Sequence, residues 1–317
     1  MNSQFKTAFV FPGQGSQLVG MGRDVAAAFP VARDVYYEAD ELAGYALSEL
    51  CFVGPAEVLN QTRNTQPAIY VTSIAILRSL QHALPQEQPA MVAGHSFGQI
   101  TALVAAGALD FAEGLKLARE RGRLMDEADS RAPGGMAALL GPDIEAVQGL
   151  VNQARAQTGG VLVVANDNCP GQTVISGDEA TVAVALGLAP GIRTRRSVRL
   201  PISIAAHSPL MAPVNDEFAS YVRAAEIKEP NVPVYGNLGA SPLPGVAANR
   251  SELEGQLTAG VRWRESVGNM IADGAARFIE IGPGNVLSGL LRRIDRKTPG
   301  LALNSAEALQ QLIDDGF

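Results

Sequence analysis

The sequence predicts an α/β fold, a larger unit interrupted by a smaller one, on three observations. Short apolar runs ending in glycine recur along the chain, each followed by a helix-length segment, which is the rhythm of a sheet covered by helices. Between residues 132 and 204 that rhythm gives way to the order β-α-β-β-α-β, the ferredoxin-like split unit. The chain has 317 residues, 47% apolar and 18% charged, enough to bury a large core and longer than one average domain.

Residues 7–11 read as a strand that runs into the turn Pro12-Gly13-Gln14-Gly15. A long helical region follows, clearest over 68–84, where Ile69, Ile74, Leu77 and Leu80 recur at helical spacing before Pro85. Residues 90–93 read as a second strand, entering the turn Gly94-His95-Ser96-Phe97-Gly98 and a small-residue helix over 99–107. A helix from 111 to about 126 carries Arg119, Arg121 and Arg123. The smaller unit then reads as a strand (136–140), a helix (144–156), two strands (161–165 and 172–176), a helix (179–188) and a strand (195–200). The larger unit resumes with a helix over 210–225, strands over 232–235 and 277–281, and a last helix opened by Gly282-Pro283-Gly284. Residues 1–131 and 205–317 thus form the large subdomain and 132–204 the small one.

With 25 Lys and Arg against 32 Asp and Glu, the formal charge is −7, which disfavours nucleic acid or an anionic membrane as the main partner. Cys51 and Cys169 lie far apart, in no spacing that suits a disulfide framework or a zinc site. The N-terminus lacks the pattern of a signal peptide, and no stretch is apolar for long enough to span a bilayer. The expectation is a cytoplasmic globular protein.

The strongest chemical signal is Gly94-His95-Ser96-Phe97-Gly98 between a strand and a helix. A serine on so sharp an elbow has its hydroxyl exposed, both glycines relieve crowding, and the helix N-terminus offers N–H groups to an oxyanion. The nucleophile needs a base, and the chain has three histidines. His95 sits inside the turn, where a structural role is expected, and His82 near a helix end, where solvent is. His207 remains, in Ile204-Ala205-Ala206-His207-Ser208-Pro209, either the base or a satisfied loop histidine.

The motifs Phe11-Pro12-Gly13-Gln14-Gly15-Ser16-Gln17, Asn64-Thr65-Gln66-Pro67-Ala68, the elbow, Arg121-Gly122, Asn168-Cys169-Pro170-Gly171-Gln172, His207 and Glu280-Ile281-Gly282-Pro283-Gly284 occur in the order found in malonyl-CoA:acyl carrier protein transacylases. The chain resembles that family over nearly its whole length. The resemblance implies an α/β-hydrolase-like core with an inserted ferredoxin-like small subdomain. It also implies that Ser96 takes the acyl group from coenzyme A as an ester and that His207 is its base, oriented by the backbone carbonyl at Gln256. Gln14 and Phe97 match the two oxyanion-hole N–H donors, and Arg121 matches the arginine that holds the free carboxylate of malonyl. No metal or bound cofactor is implied. The implied partners are malonyl-CoA and a holo acyl carrier protein, and the expected state is a monomer.

Arg121 has a physical case of its own, since a guanidinium grips a carboxylate through two parallel hydrogen bonds; the bland alternative is a solvated helix arginine. Asn166 and Asn168 are candidates to line the cleft between subdomains, or to satisfy local backbone. Two basic clusters, Arg193/Arg195/Arg196/Arg199 and Arg292/Arg293/Arg296/Lys297, suit the docking of an acidic carrier protein or are solvated faces.

Three positions depart from the family's commoner pattern: Phe97 stands for leucine, Gln99 for glutamate, and Ala206 where extender choice is set. Polyketide rather than fatty acid synthesis is therefore an open pathway. Competing functions are an acyl hydrolase, a transferase between carrier proteins, and a non-catalytic binding subunit. A general carboxylesterase is disfavoured because no histidine follows His207.

Overall fold

The computed structural model describes residues 6–131 and 133–315. Residues 1–5, part of the N-terminus read above as lacking a leader, and Ala132, the first residue assigned to the small subdomain, lie outside them. In chain order, β1 (Thr7–Phe11) is followed by helices α1 (Arg23–Ala28), α2 (Pro30–Ala43), α3 (Leu47–Phe52), α4 (Ala56–Leu59) and α5 (Thr62–Ala83). Next come β2 (Met91–Gly94), α6 (Gly98–Ala105) and α7 (Phe111–Arg131). The second sheet belongs to β3 (Gly135–Leu140), α8 (Ile144–Thr158), β4 (Leu162–Cys169), β5 (Gln172–Gly177), α9 (Glu179–Leu188) and β6 (Arg196–Arg199). The chain returns through α10 (Ala212–Ala224), β7 (Val234–Tyr235), α11 (Gly245–Gly255), α12 (Trp263–Ala272) and β8 (Arg277–Ile281), and closes with α13 (Val286–Ile294), β9 (Gly300–Leu303) and α14 (Ala306–Asp315).

One sheet is wholly parallel, in the order β7-β2-β1-β8-β9. Side chains alternate across a strand, so β1 serves two cores: Phe9 and Phe11 point into the larger apolar cluster, Ala8 and Val10 into the one under α12 and α13. That two-sided burial explains why β1 reads as an unbroken apolar run. The other sheet, β4-β5-β3-β6, is antiparallel throughout and covers α8 and α9 with a third core containing Ala137, Leu139, Ile175, Val147 and Val182. The order places β3 and β4 on either side of β5, the split βαβ arrangement. The parallel sheet and the inserted antiparallel one make an α/β fold with a hydrolase-like core.

Several boundaries differ from the sequence reading. The region before residue 68 holds four separate helices, and α5 starts at Thr62 with Pro67 inside it. The strand expected over 161–165 runs on to Cys169, because Asn166, Asp167 and Cys169 pair with β5 on one side and Asn166 bridges Val261 on the other. The helix after Gly282-Pro283-Gly284 begins at Val286 and is not the last: β9 and α14 follow it.

Candidate active site

The carboxyl ends of β1 and β2 lie side by side, with Phe11 paired to Gly94, and the loops leaving them build the site, as parallel sheets generally allow. The elbow needs its glycines for space. A Cβ on Gly94 would stand 1.9 Å from the Gly98 carbonyl carbon, and one on Gly98 would stand 2.2 Å from the Phe11 oxygen. Between them Ser96 takes φ 50°, a left-handed conformation that costs a non-glycine residue about 1–3 kcal/mol. His207 is left-handed too, at φ 61°.

Ser96 and His207, 111 residues apart, meet: Ser96 Oγ lies 2.8 Å from His207 Nε2. His207 Nδ1–H donates to the backbone oxygens of Gln256, at 2.8 Å, and Ala259, at 3.1 Å. Because both partners there are carbonyls, Nδ1 carries the proton and Nε2 is left to accept from the serine hydroxyl. Among the described residues no carboxylate completes the pair. Burial, then the positive charge of Arg121, push the His207 imidazole down to about 3, so it is neutral at ordinary pH.

Arg121, on α7, is 1% exposed. One Nη donates to Ser96 Oγ, at 3.2 Å, and to Gln256 Oε1, at 3.1 Å; the other lies 3.3 Å from Met125 Sδ. No carboxylate faces the guanidinium among the described residues, and its Nε is buried without an acceptor, as is the amide nitrogen of Gln256. Burial pushes Arg121 down to about 9, which still leaves a cation at neutral pH. A buried cation with no anion is costly unless one arrives.

Opposite lies the Gly13-Gln14 loop, close enough that a Cβ on Gly13 would be 2.6 Å from the His95 oxygen. Side chains pin this loop: Ser16 Oγ donates to Gly13 O, and Gln14 Nε2 to Thr62 Oγ1. The Gln14 and Phe97 backbone N–H groups have no acceptor among the described residues, and Phe97 stands at the start of α6, where the helix dipole favours negative charge. The Phe97 ring is fully buried in the larger core.

The other histidines separate cleanly. His95 Nε2–H donates to Asn168 Oδ1 at 2.8 Å, its ring meets Trp263 edge to face, and burial holds it neutral. Asn168 therefore satisfies a distant side chain, not local backbone as one reading had it. His82 is exposed. Sequence reasoning missed Asn237, whose side chain grips the elbow. Its only outward signal was its place just past an apolar pair, Val234-Tyr235, that turns out to be the strand beside β2.

Residues 8–309 match the family model of the acyl transferase domain, and that class suits a serine–histidine pair on this fold. The malonyl CoA-acyl carrier protein transacylase of Bacillus subtilis is 41% identical over 97% of this chain and 96% of its own length, and that of Escherichia coli K12 39% identical over 97% and 98%. The crystal structure of an acyl carrier protein S-malonyltransferase from Vibrio cholerae superposes with a TM-score of 0.93 at 40% identity, covering 97% of this chain and 99% of that one. A malonyl-transacylase solved in complex with a type II polyketide synthase acyl carrier protein also gives 0.93, at 36% identity over 98% and 100%. The chain belongs to the malonyl-CoA:acyl carrier protein transacylase family.

Proposed function

We propose that this protein moves a malonyl group from coenzyme A to the phosphopantetheine thiol of an acyl carrier protein, through an ester on Ser96. The observation that carries this is Arg121: a buried guanidinium without a counter-ion among the described residues, 3.2 Å from Ser96 Oγ, which an acyl group ending in a carboxylate would neutralise. In this reading Arg121, with the Gln256 side chain beside it, holds the free carboxylate and so orients the thioester carbonyl toward Ser96.

His207 Nε2 takes the hydroxyl proton as Ser96 Oγ attacks that carbonyl. The Gln14 and Phe97 N–H groups receive the developing oxyanion, and losing one such donor costs about 3–4 kcal/mol. The tetrahedral intermediate collapses, the C–S bond breaks, and His207 returns its proton to the coenzyme A sulfur. A carrier-protein thiol then attacks the malonyl ester, giving its proton to His207, which passes it to Ser96 Oγ as the ester breaks. The step uses no bound cofactor.

The same reading assigns the large subdomain (1–131 and 205–317) to catalysis and uses the small one (132–204) to wall the acyl-donor side, where Asn168 lies against His95. Both cysteines are free and buried, and among the described residues no helix is long and apolar enough to cross a membrane. We place the reaction in the cytoplasm.

Intact-mass measurement after brief exposure to malonyl-, methylmalonyl- and acetyl-CoA tests the reading on wild type, Ser96→Ala and Arg121→Ala. A malonyl adduct is expected on wild type, none on Ser96→Ala, and a shift toward acetyl on Arg121→Ala. If no coenzyme A thioester labels Ser96, the reading falls, and a hydrolase or a transferase between carrier proteins takes its place.

A further inference from the structure

The glycines of the elbow permit the left-handed turn at Ser96, but they do not enforce it. One buried side chain holds it on three sides. Asn237 Oδ1 accepts the Ser96 N–H at 2.7 Å, and its Nδ2 donates to Gly94 O at 2.8 Å and to Gln99 Oε1 at 2.9 Å. It therefore ties together the residues before, at and after the nucleophile. Asn237 is itself anchored from behind: its N–H and that of Leu238 donate to the Glu252 carboxylate, and Ser266 Oγ donates to Gly236 O. The bond to Ser96 N–H has a second consequence. It occupies that donor and leaves the next one along, Phe97 N–H, for the oxyanion.

We infer that Asn237 is the positioning residue of the nucleophile, fixing the backbone turn that presents Ser96 Oγ to His207 and fixing which elbow N–H faces the acyl oxygen. This rests on the transacylase reading above. Gln99 is its working partner, since its amide oxygen takes the Asn237 donor while its nitrogen stays buried without an acceptor. A turn of that amide would let it donate instead, so Asn237→Asp keeps the contacts to the Ser96 N–H and to Gln99 and loses the one to Gly94 O.

The test is the rate of malonyl-Ser96 formation at saturating malonyl-CoA, by quenched mass spectrometry, with KM and thermal melting on the same samples. Asn237→Ala is expected to slow acylation about a hundredfold while KM stays within about twofold, the signature of a misplaced reacting group. Asn237→Asp should keep the rate within about tenfold of wild type, as its carboxylate still accepts the Ser96 N–H and the turned Gln99 amide. Adding Gln99→Glu to it sets two carboxylates face to face and should remove what that variant kept. Acylation of Asn237→Ala at the wild-type rate, or a loss confined to KM, overturns the inference. If that variant does not fold, the paired variants decide: equal rates for Asn237→Asp with and without Gln99→Glu overturn it. A wild type that malonyl-CoA does not label overturns the transacylase reading and this inference with it.

Discussion

Burial sets the protonation state of the hydrogen-bonded Ser96–His207 pair, and it does so against the usual habit of histidine. Free imidazole titrates near 6.5, but His207 is buried beside Arg121 and is driven down to about 3. A base with a lowered value is already neutral, hence competent, at every pH above it. The acid limb of kcat/KM for malonyl-CoA, which reports the free enzyme, is therefore expected well below pH 6, with no inflection near 6.5. In Arg121→Ala the second depressing influence is gone, so any acid limb measured with acetyl-CoA should move upward. A wild-type limb centred between 6 and 7 would contradict the assignment. Ser96 and Arg121 were both legible as residues, one from its elbow and one from a motif. Asn237 and the Ala259 carbonyl were not, because the first acts through a bond across 141 residues and the second through backbone that any side chain would supply.

How the Arg121 guanidinium comes to stand 3.2 Å from Ser96 Oγ is a matter of how α7 packs. It lies close along α5 because two glycines on one face, eight residues apart, let it: a Cβ on Gly114 would meet Tyr70 Oη at 2.3 Å, and one on Gly122 the Thr62 carbonyl oxygen at 2.7 Å. The pair Arg121-Gly122 thus joins the side chain proposed to hold the malonyl carboxylate to the notch that sets its depth. Gly122→Ala forces α7 outward, since the obstacle is backbone; it should cost about 1–3 kcal/mol of stability and lower the preference for malonyl- over acetyl-CoA. Paired labelling rates and a thermal melt check this, and unchanged selectivity would separate helix depth from carboxylate binding. Glycine spacing of this kind is visible in a sequence only once the facing helix is known. The same blindness hid β9 and α14, whose short amphipathic patterns carry no turn signal as strong as Gly282-Pro283-Gly284 before them.

Three members of the two basic clusters, far apart in sequence, converge where β4 of the small sheet packs against α13. Arg195 and Arg196 from one side and Arg293 from the other line a cleft of about 760 Å³, together with Arg264, Asp167 and the Pro170-Gly171 turn. Not all of this charge is free to meet a ligand. Arg293 donates to Pro170 O, Gly171 O and Gln172 Oε1, fastening the β4–β5 turn to α13, and Arg264 pairs with Asp167 at 2.9 Å. Arg195 and Arg196 are exposed and make no ion pair among the described residues. On a chain of net charge −7, a local positive rim steers an acidic partner to one face, and such steering acts on association rate and weakens with salt. Reversing both charges, Arg195→Glu with Arg196→Glu, should lower kcat/KM for a holo acyl carrier protein about tenfold at low ionic strength and flatten its salt dependence. Malonyl-Ser96 formation at saturating malonyl-CoA should be unchanged. If carrier-protein kinetics keep their wild-type salt slope, the acidic partner docks elsewhere, and the cleft arginines serve the fit between the two lobes.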